Sequence, residues 1–181
     1  MRFLLPRDYN AQLRHSVKQA ISRSNDYTIE DAEDAAIEQA SGYLRSRYDV
    51  SKVFAPIPAH DSDTQYNEGE YVYDIIDARN TIYMALVDNP SADLKNTNDW
   101  KPKDPRNRHL ITIIIDLSAY LLFTATGLPM SQLREKRYDD AIQWLVNVQK
   151  ELVSPDLPLM DEDKPSGAYI MGANKKLRDK W

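Results

Sequence analysis

Aromatic side chains in the middle third of the chain could bind a sugar. Tyr71, Tyr83 and Trp100 lie in a stretch rich in β-favouring residues. Rings stacked on one exposed face would hold sugar rings, whereas rings turned inward would form the core of a small module. Both interpretations are open from the sequence. The inward one is favoured, because so small a module has few other large apolar side chains.

Metal chemistry has little support in the sequence. The chain has no cysteine, which excludes thiolate sites and disulfides. His15, His60 and His109 lie far apart in the sequence, and none has a second histidine three or four residues away. Asp61 and Asp63 could bind calcium, but the rest of a calcium loop is missing. No cofactor or metal is therefore expected.

Catalytic groups are also hard to find. The five glycines are scattered and form no phosphate-binding loop, and no serine lies in a nucleophile-elbow sequence. Asp116 is the one acid inside an apolar helical stretch, and it could be a functional buried carboxyl. The favoured interpretation is that it pairs with an arginine or tyrosine, or faces a subunit interface. The sequence predicts that the protein is not an enzyme.

Apolar residues at helical spacing predict four helices, at about 8–23, 29–48, 105–126 and 132–153. Thr28 and Ser131 are the expected N-caps of the second and fourth helices. Asp104 is the expected N-cap of the third, with Pro105 at its first position, and Gly127 ends it. The third helix is apolar over a wide face and should be central. The apolar stripe predicted for the fourth helix is Leu133, Tyr138, Ala141, Leu145, Val148 and Leu152.

Residues 55–104 differ in composition and predict an inserted β mini-module. Its two strand candidates are Tyr71–Ile76 and Thr81–Val87, joined by a hairpin loop at 77–80. The remainder forms a discontinuous helical domain of residues 1–54 and 105–159. The predicted fold class is mainly α: an antiparallel bundle of about four helices, an inserted small β module and an extended C-terminal tail at 160–181. Four large side chains in that tail are expected to contact a partner: Tyr169, Ile170, Met171 and Trp181.

The formal net charge of −5 argues against a protein that grips nucleic acid by neutralising phosphates. An acidic wall could instead let DNA slide past. The apolar stretch Leu110–Leu128 contains Asp116, and its uncharged part is too short to span a bilayer. We expect a buried helix and no membrane contact. The N-terminal residues lack the apolar run of a signal peptide.

Four stretches resemble the head–tail connector proteins of tailed phages, which include the Mu-type structural and lambdoid adaptor families. They are Thr28–Asp49, Arg108–Phe123, Arg134–Leu145 and Gly172–Lys176. The third, with Arg137-Tyr138, Asp140-Ala141 and Trp144-Leu145, is the most specific. The insert departs from that family. It resembles small carbohydrate-binding modules in the order of Tyr66, Gly69-Glu70, Tyr83 and Trp100.

The resemblance implies a structural virion protein at the neck between head and tail. Such subunits form homo-oligomeric rings, commonly of twelve. They bind the portal protein on one side and the next neck or tail protein on the other. DNA would pass through without sequence-specific binding, and the chain would be made in the host bacterial cytoplasm. The alternative is a glycan-binding module carried on a helical virion protein.

Overall fold

The structure is a computed structural model that describes residues 2–10, 28–76, 79–127 and 129–160. These ranges contain five helices and a three-stranded antiparallel sheet, a helix-rich mixed fold. The helices are α1 (Pro6–Asn10), α2 (Ile29–Leu44), α3 (Val50–Val53), α4 (Arg108–Thr126) and α5 (Gln132–Gln149). The strands are β1 (Tyr71–Tyr73), β2 (Ile82–Ala85) and β3 (Trp100–Pro102). Most of the first predicted helix lies outside the described residues, as do Tyr169, Ile170, Met171 and Trp181.

Helices α2, α4 and α5 pack on one another and form the main core. Helix α4 is central, as predicted, and most of its apolar side chains are buried. It runs antiparallel to α5, because His109 contacts Trp144 at one end while Arg134 lies over Phe123 at the other. Helix α2 presents three fully buried alanines to this core: Ala32, Ala36 and Ala40. Small side chains at that spacing allow helix axes to approach closely.

The helix ends test the predicted caps. Thr28 forms a full capping box with Asp31, and the Ser131 side chain accepts from the Arg134 N–H, as predicted. The cap predicted for the third helix is wrong. Helix α4 begins at Arg108, and its N-cap is Asn107, whose Oδ1 accepts from two backbone N–H groups at 3.0 Å.

The stripe predicted for α5 is only partly buried. Ala141, Leu145 and Val148 belong to the core, but Leu133 is 63% exposed and Leu152 is 73% exposed. Leu152 lies beyond the helix, which ends at Gln149. At 100° per residue, Leu133 points about 80° away from Ala141 and therefore falls at the margin of the buried face.

One face of the sheet packs against the N-terminal segment. The antiparallel register places Tyr71 and Ile82 on this face. There they contact Leu5 and Ile57, both nearly fully buried. An isolated antiparallel bridge also joins Arg2 to Ile57. The insert therefore shares a core with residues outside it.

The other face of the sheet forms the module's own core. Its buried side chains are Tyr66, Val72, Ala85 and Trp100, with Tyr83 and Leu94 packed around them. The two predicted strands are present and paired, but each is shorter than predicted. Ile75 and Ile76, predicted as strand residues, lie beyond β1 and are 63% and 92% exposed.

Replacing glycine with alanine should have opposite effects on stability at two exposed positions. Gly127 ends α4 in the left-handed region at φ 63°, whereas Gly42 lies inside α2. A Cβ at either position meets no atom within 4 Å. We expect Gly127→Ala to lower the free energy of unfolding by about 1 kcal/mol through backbone strain. Gly42→Ala should raise it by about 0.5–1 kcal/mol. Urea unfolding of both variants measures the two changes. If both variants are stabilised, or both destabilised, the left-handed conformation of Gly127 or the helical conformation of Gly42 is contradicted.

Candidate functional site

A buried arginine joins the N-terminal segment, the insert and α4. The Arg106 side chain is only 3% exposed. Its guanidinium donates to the Asp8 carboxylate at 2.7 Å, to the Asp104 carboxylate at 2.8 Å and to the Phe3 carbonyl at 2.6 Å. Arg7 donates to the same Asp104 oxygen at 2.6 Å. Asp104 is therefore not a helix cap; it is the shared acceptor of two arginines.

The charges of this cluster stabilise one another. Burial alone would raise the pKa of Asp104, but hydrogen bonds and charge from Arg106, with the charge of Arg7, lower that pKa below its usual value. Burial alone would lower the pKa of Arg106, but the hydrogen bonds that Arg106 donates to Asp104 and Asp8, with the charges of both carboxylates, raise that pKa overall. Both shifts favour the ionised pair.

A second buried carboxylate holds the other side of the N-terminal segment. Glu33 of α2 is 2% exposed. It accepts from the Leu4 N–H at 2.9 Å and from the Tyr9 hydroxyl at 2.8 Å, and it lies 3.0 Å from the Arg2 guanidinium. Burial, with the nearby charge of Glu33, raises the pKa of Tyr9. Glu33 was not among the residues singled out in the sequence as candidate site residues. Its spacing from Ile29 and Ala36, four and three residues, was the signal of an inward position.

The three candidate glycan-stacking residues do not form one platform. Trp100 is 1% exposed, and its indole N–H donates to the Ser91 carbonyl at 2.7 Å. Its ring packs edge-on against Tyr66 and His60, at 5.7 and 5.6 Å between ring centroids. Tyr83 shares that face, but Tyr71 lies on the opposite face of the sheet. The hypothesis of a single stacking face of Tyr71, Tyr83 and Trp100 is therefore corrected: Trp100 is a core residue.

The residues considered as metal ligands lie apart. His60 stacks on Tyr66, and His109 packs edge-on against Trp144, while His15 lies outside the described residues. The Asp61 carboxylate accepts from the Asp63 N–H and the Thr64 hydroxyl, which closes its own turn. Within the described ranges, no three His, Asp or Glu side chains are grouped as a metal would require.

A half-buried acid lies between α4 and α5. Asp116 is 3.9 Å from the Arg137 guanidinium, so it has the arginine neighbour predicted for it. Burial raises the pKa of Asp116, and the charges of Arg137 and Arg134 partly oppose that rise. One turn further along, Tyr120 and Tyr138 stack with centroids 3.9 Å apart. We call this line of side chains the α4–α5 seam.

Asp116→Asn should stabilise the fold at neutral pH, by less than about 1 kcal/mol because solvent screens a half-exposed pair. The folded-state pKa of Asp116 is raised, so the native carboxyl contributes stability when protonated and loses it as pH rises through that pKa. The gain from asparagine should therefore disappear below about pH 4. Thermal melting across pH, with the exposed Asp139→Asn as control, measures this. A loss of stability at pH 7 would show that the attraction between Asp116 and Arg137 is larger than the cost of burying the Asp116 carboxylate.

No family model, curated protein or solved structure matches the chain.

Large apolar side chains remain on the surface of the described residues. The most exposed are Ile75, Ile76, Leu133, Leu152 and Leu159. The stretch Arg108–Ala125 is long and apolar enough to cross a membrane by composition alone, but half of it is buried inside the fold. Helix α4 is thus packed as a core helix. Leu133, in the first turn of α5, and Leu152, three residues beyond its end, are large apolar side chains that the fold leaves exposed.

Proposed function

We propose that this chain is a non-catalytic structural subunit that assembles into a ring, as a head–tail connector of a tailed-phage virion. The observation that carries the proposal is a pair of large apolar side chains, near the start of α5 and just beyond its end, that a single subunit leaves uncovered. Leu133 lies in the first turn of α5 and is 63% exposed, and Leu152 lies three residues beyond the last residue of α5 and is 73% exposed. A neighbouring subunit would cover them and recover the free energy of burying that apolar area.

The proposal includes the finer architecture. The described helices would belong to an antiparallel bundle of about four, with residues 160–181 as an extended tail. In the ring, commonly of twelve subunits, the tail would contact a neighbouring subunit or the portal protein. The opposite side would receive the next neck or tail protein. The net charge of −5 suits a channel past which DNA slides without being gripped.

Leu133→Glu and Leu152→Glu should each weaken self-association by about tenfold or more, since burying a leucine contributes about 1.5–3 kcal/mol. Neither change should lower the stability of the isolated subunit by more than about 0.5 kcal/mol, because both side chains are already exposed. Gln143→Glu, an exposed charge addition in the middle of α5, is the matched control. Sedimentation over a concentration series measures self-association. If both leucine variants associate as strongly as the wild type, Leu133 and Leu152 do not lie in the interface between subunits.

Native mass spectrometry of the protein, alone and mixed with its portal protein, tests the function itself. A ring, or a stoichiometric complex with the portal, supports the connector proposal. A subunit that stays monomeric and ignores the portal at every concentration overturns it.

The glycan-binding alternative is not favoured. The Trp100 indole has no exposed face, and Tyr71 lies across the sheet from it. The aromatic residues of the insert are better explained as cores that hold the module together and attach it to the N-terminal segment.

A further inference from the structure

A groove runs between α3, the insert and the chain that follows α5. Its volume is about 270 Å³, near the lower limit of pockets that accept small ligands or side-chain clusters. The lining is mainly apolar and includes Val53, Pro56, Ile57, Tyr71, Leu157 and Pro158. Exposed Lys52 and Ala55 also line it. It belongs to neither the α4–α5 seam nor the core of the insert.

The chain passes this groove just before the described part ends. Pro158 lines the groove and accepts at its carbonyl from the Asp49 N–H at 3.0 Å. Two residues later, the Met160 N–H donates to the Arg47 carbonyl at 3.0 Å. Met160, the residue that precedes the C-terminal segment of residues 161–181, therefore lies close to the groove.

The C-terminal segment carries one compact apolar run, Tyr169-Ile170-Met171, in an otherwise polar sequence. About ten residues separate it from Pro158 and can span up to roughly 33–36 Å when extended. A return to the groove is thus well within reach. Closing a loop of that length costs only a modest entropy, and Pro165 and Gly167 are residue types that favour chain reversal.

Charge favours the same docking. Residues 55–104 contain ten acidic and four basic side chains. The last ten residues of the sequence contain one acid and four basic side chains: Lys175, Lys176, Arg178 and Lys180. Once the apolar run occupies the groove, the basic end lies within reach of the acidic insert, and opposite charges attract across that distance.

We propose that, in the free subunit, Tyr169-Ile170-Met171 occupy this groove of their own chain. The basic residues that follow then lie along the acidic insert. The segment thereby ties the insert to the helical core, at a place where α3 and β1 are otherwise separated by open space. This inference concerns the isolated subunit and holds whether or not the ring proposal does.

The absence of natural cysteines makes the test clean. Ala55→Cys places a thiol at the exposed rim of the groove, and Ala168→Cys places one next to the apolar run. Under mild oxidation, this double variant should form an intramolecular disulfide. The matched control pairs Ala168→Cys with Ala35→Cys, on an exposed position of α2. The groove pair should react about tenfold faster or more, because docking raises the effective thiol concentration.

Three outcomes overturn the proposal. Covalent dimers in place of a compact monomer would assign the groove to the segment of a second copy. Equal rates for the two cysteine pairs would mean that the segment samples the surface at random. Persistence of the fast rate after Tyr169, Ile170 and Met171 are all changed to serine would exclude the apolar run as the anchor. Ring formation is measured separately by native mass, so failure of either proposal is distinguishable from failure of the other.

Discussion

Replacing Arg106 with methionine is expected to lower the free energy of unfolding by about 3–5 kcal/mol, the cost of removing one partner from a buried ion pair. The guanidinium is the common donor to Asp8, Asp104 and the Phe3 carbonyl. Methionine fills much of the same volume but leaves the Asp8 carboxylate, 9% exposed, and the Phe3 carbonyl without the guanidinium, whereas Asp104 keeps its bond from Arg7. The loss is thus mainly electrostatic rather than a cavity effect.

Chemical denaturation at pH 7 measures the loss, and Arg108→Met is the matched control, because Arg108 is exposed two residues away. The control should change stability by less than about 0.5 kcal/mol. Adding Asp8→Asn to Arg106→Met should restore part of the loss, since the buried carboxylate is then removed together with its partner. Equal effects of Arg106→Met and Arg108→Met would contradict the burial of this cluster.

The cluster also gives the wild type an acid-sensitive contribution. The pKa of Asp104 is lowered in the folded state, so its contribution is complete above the unfolded pKa of about 4 and is lost as pH falls through the folded value. In Arg106→Met this part of the acid dependence should shrink.

Trp100→Ala is expected to lower the free energy of unfolding by about 3–5 kcal/mol, the usual effect of removing a large aromatic side chain from a core. The loss should be confined to the insert. Trp100 belongs to the small core of Tyr66, Val72 and Ala85, whereas α2, α4 and α5 share a separate core. Hydrogen exchange read by mass spectrometry should show fast exchange in β1–β3 and retained protection in the three long helices.

Trp100→Phe separates packing from hydrogen bonding. Phenylalanine keeps most of the apolar contact but loses the hydrogen bond that the indole N–H donates to the Ser91 carbonyl. The free energy of unfolding should therefore fall by about 1 kcal/mol. If Trp100→Ala leaves amide hydrogen exchange in the three strands unchanged, the indole is not the centre of the module's core. The hypothesis that Trp100 stacks on a sugar would then be supported again.

The sequence predicted features that depend on local chemistry. The capping box at Thr28, the N-cap at Ser131 and the left-handed Gly127 each depend on a few neighbouring residues, and each was confirmed. Asp104 and Asn107 are both good N-cap residues. Contacts with Arg7, almost a hundred residues earlier in the chain, occupy Asp104 and leave the cap to Asn107.

The candidate site was harder to predict for the same reason. Alternation along β1 could show that neighbouring residues face opposite ways, but only the strand register places Tyr71 across the sheet from Trp100. The buried role of Glu33 depends on an N-terminal segment that no local pattern connects to α2. Periodicity placed Leu133 and Leu152 on the apolar stripe of α5. It could not show that Leu133 falls at the margin of the buried face or that the helix ends at Gln149, before Leu152.

The clasped N-terminal segment has a consequence for how the chain is made. Phe3 and Arg106 are 103 residues apart, and the ribosome adds about 5–20 residues per second. Phe3, Leu4 and Leu5 therefore wait about 5–20 s as uncovered apolar side chains before their last partner is synthesised. Phe3 therefore cannot complete its contacts until the chain has been synthesised at least as far as Arg106. During that interval the nascent chain offers a short hydrophobic ligand to chaperones at the ribosome exit.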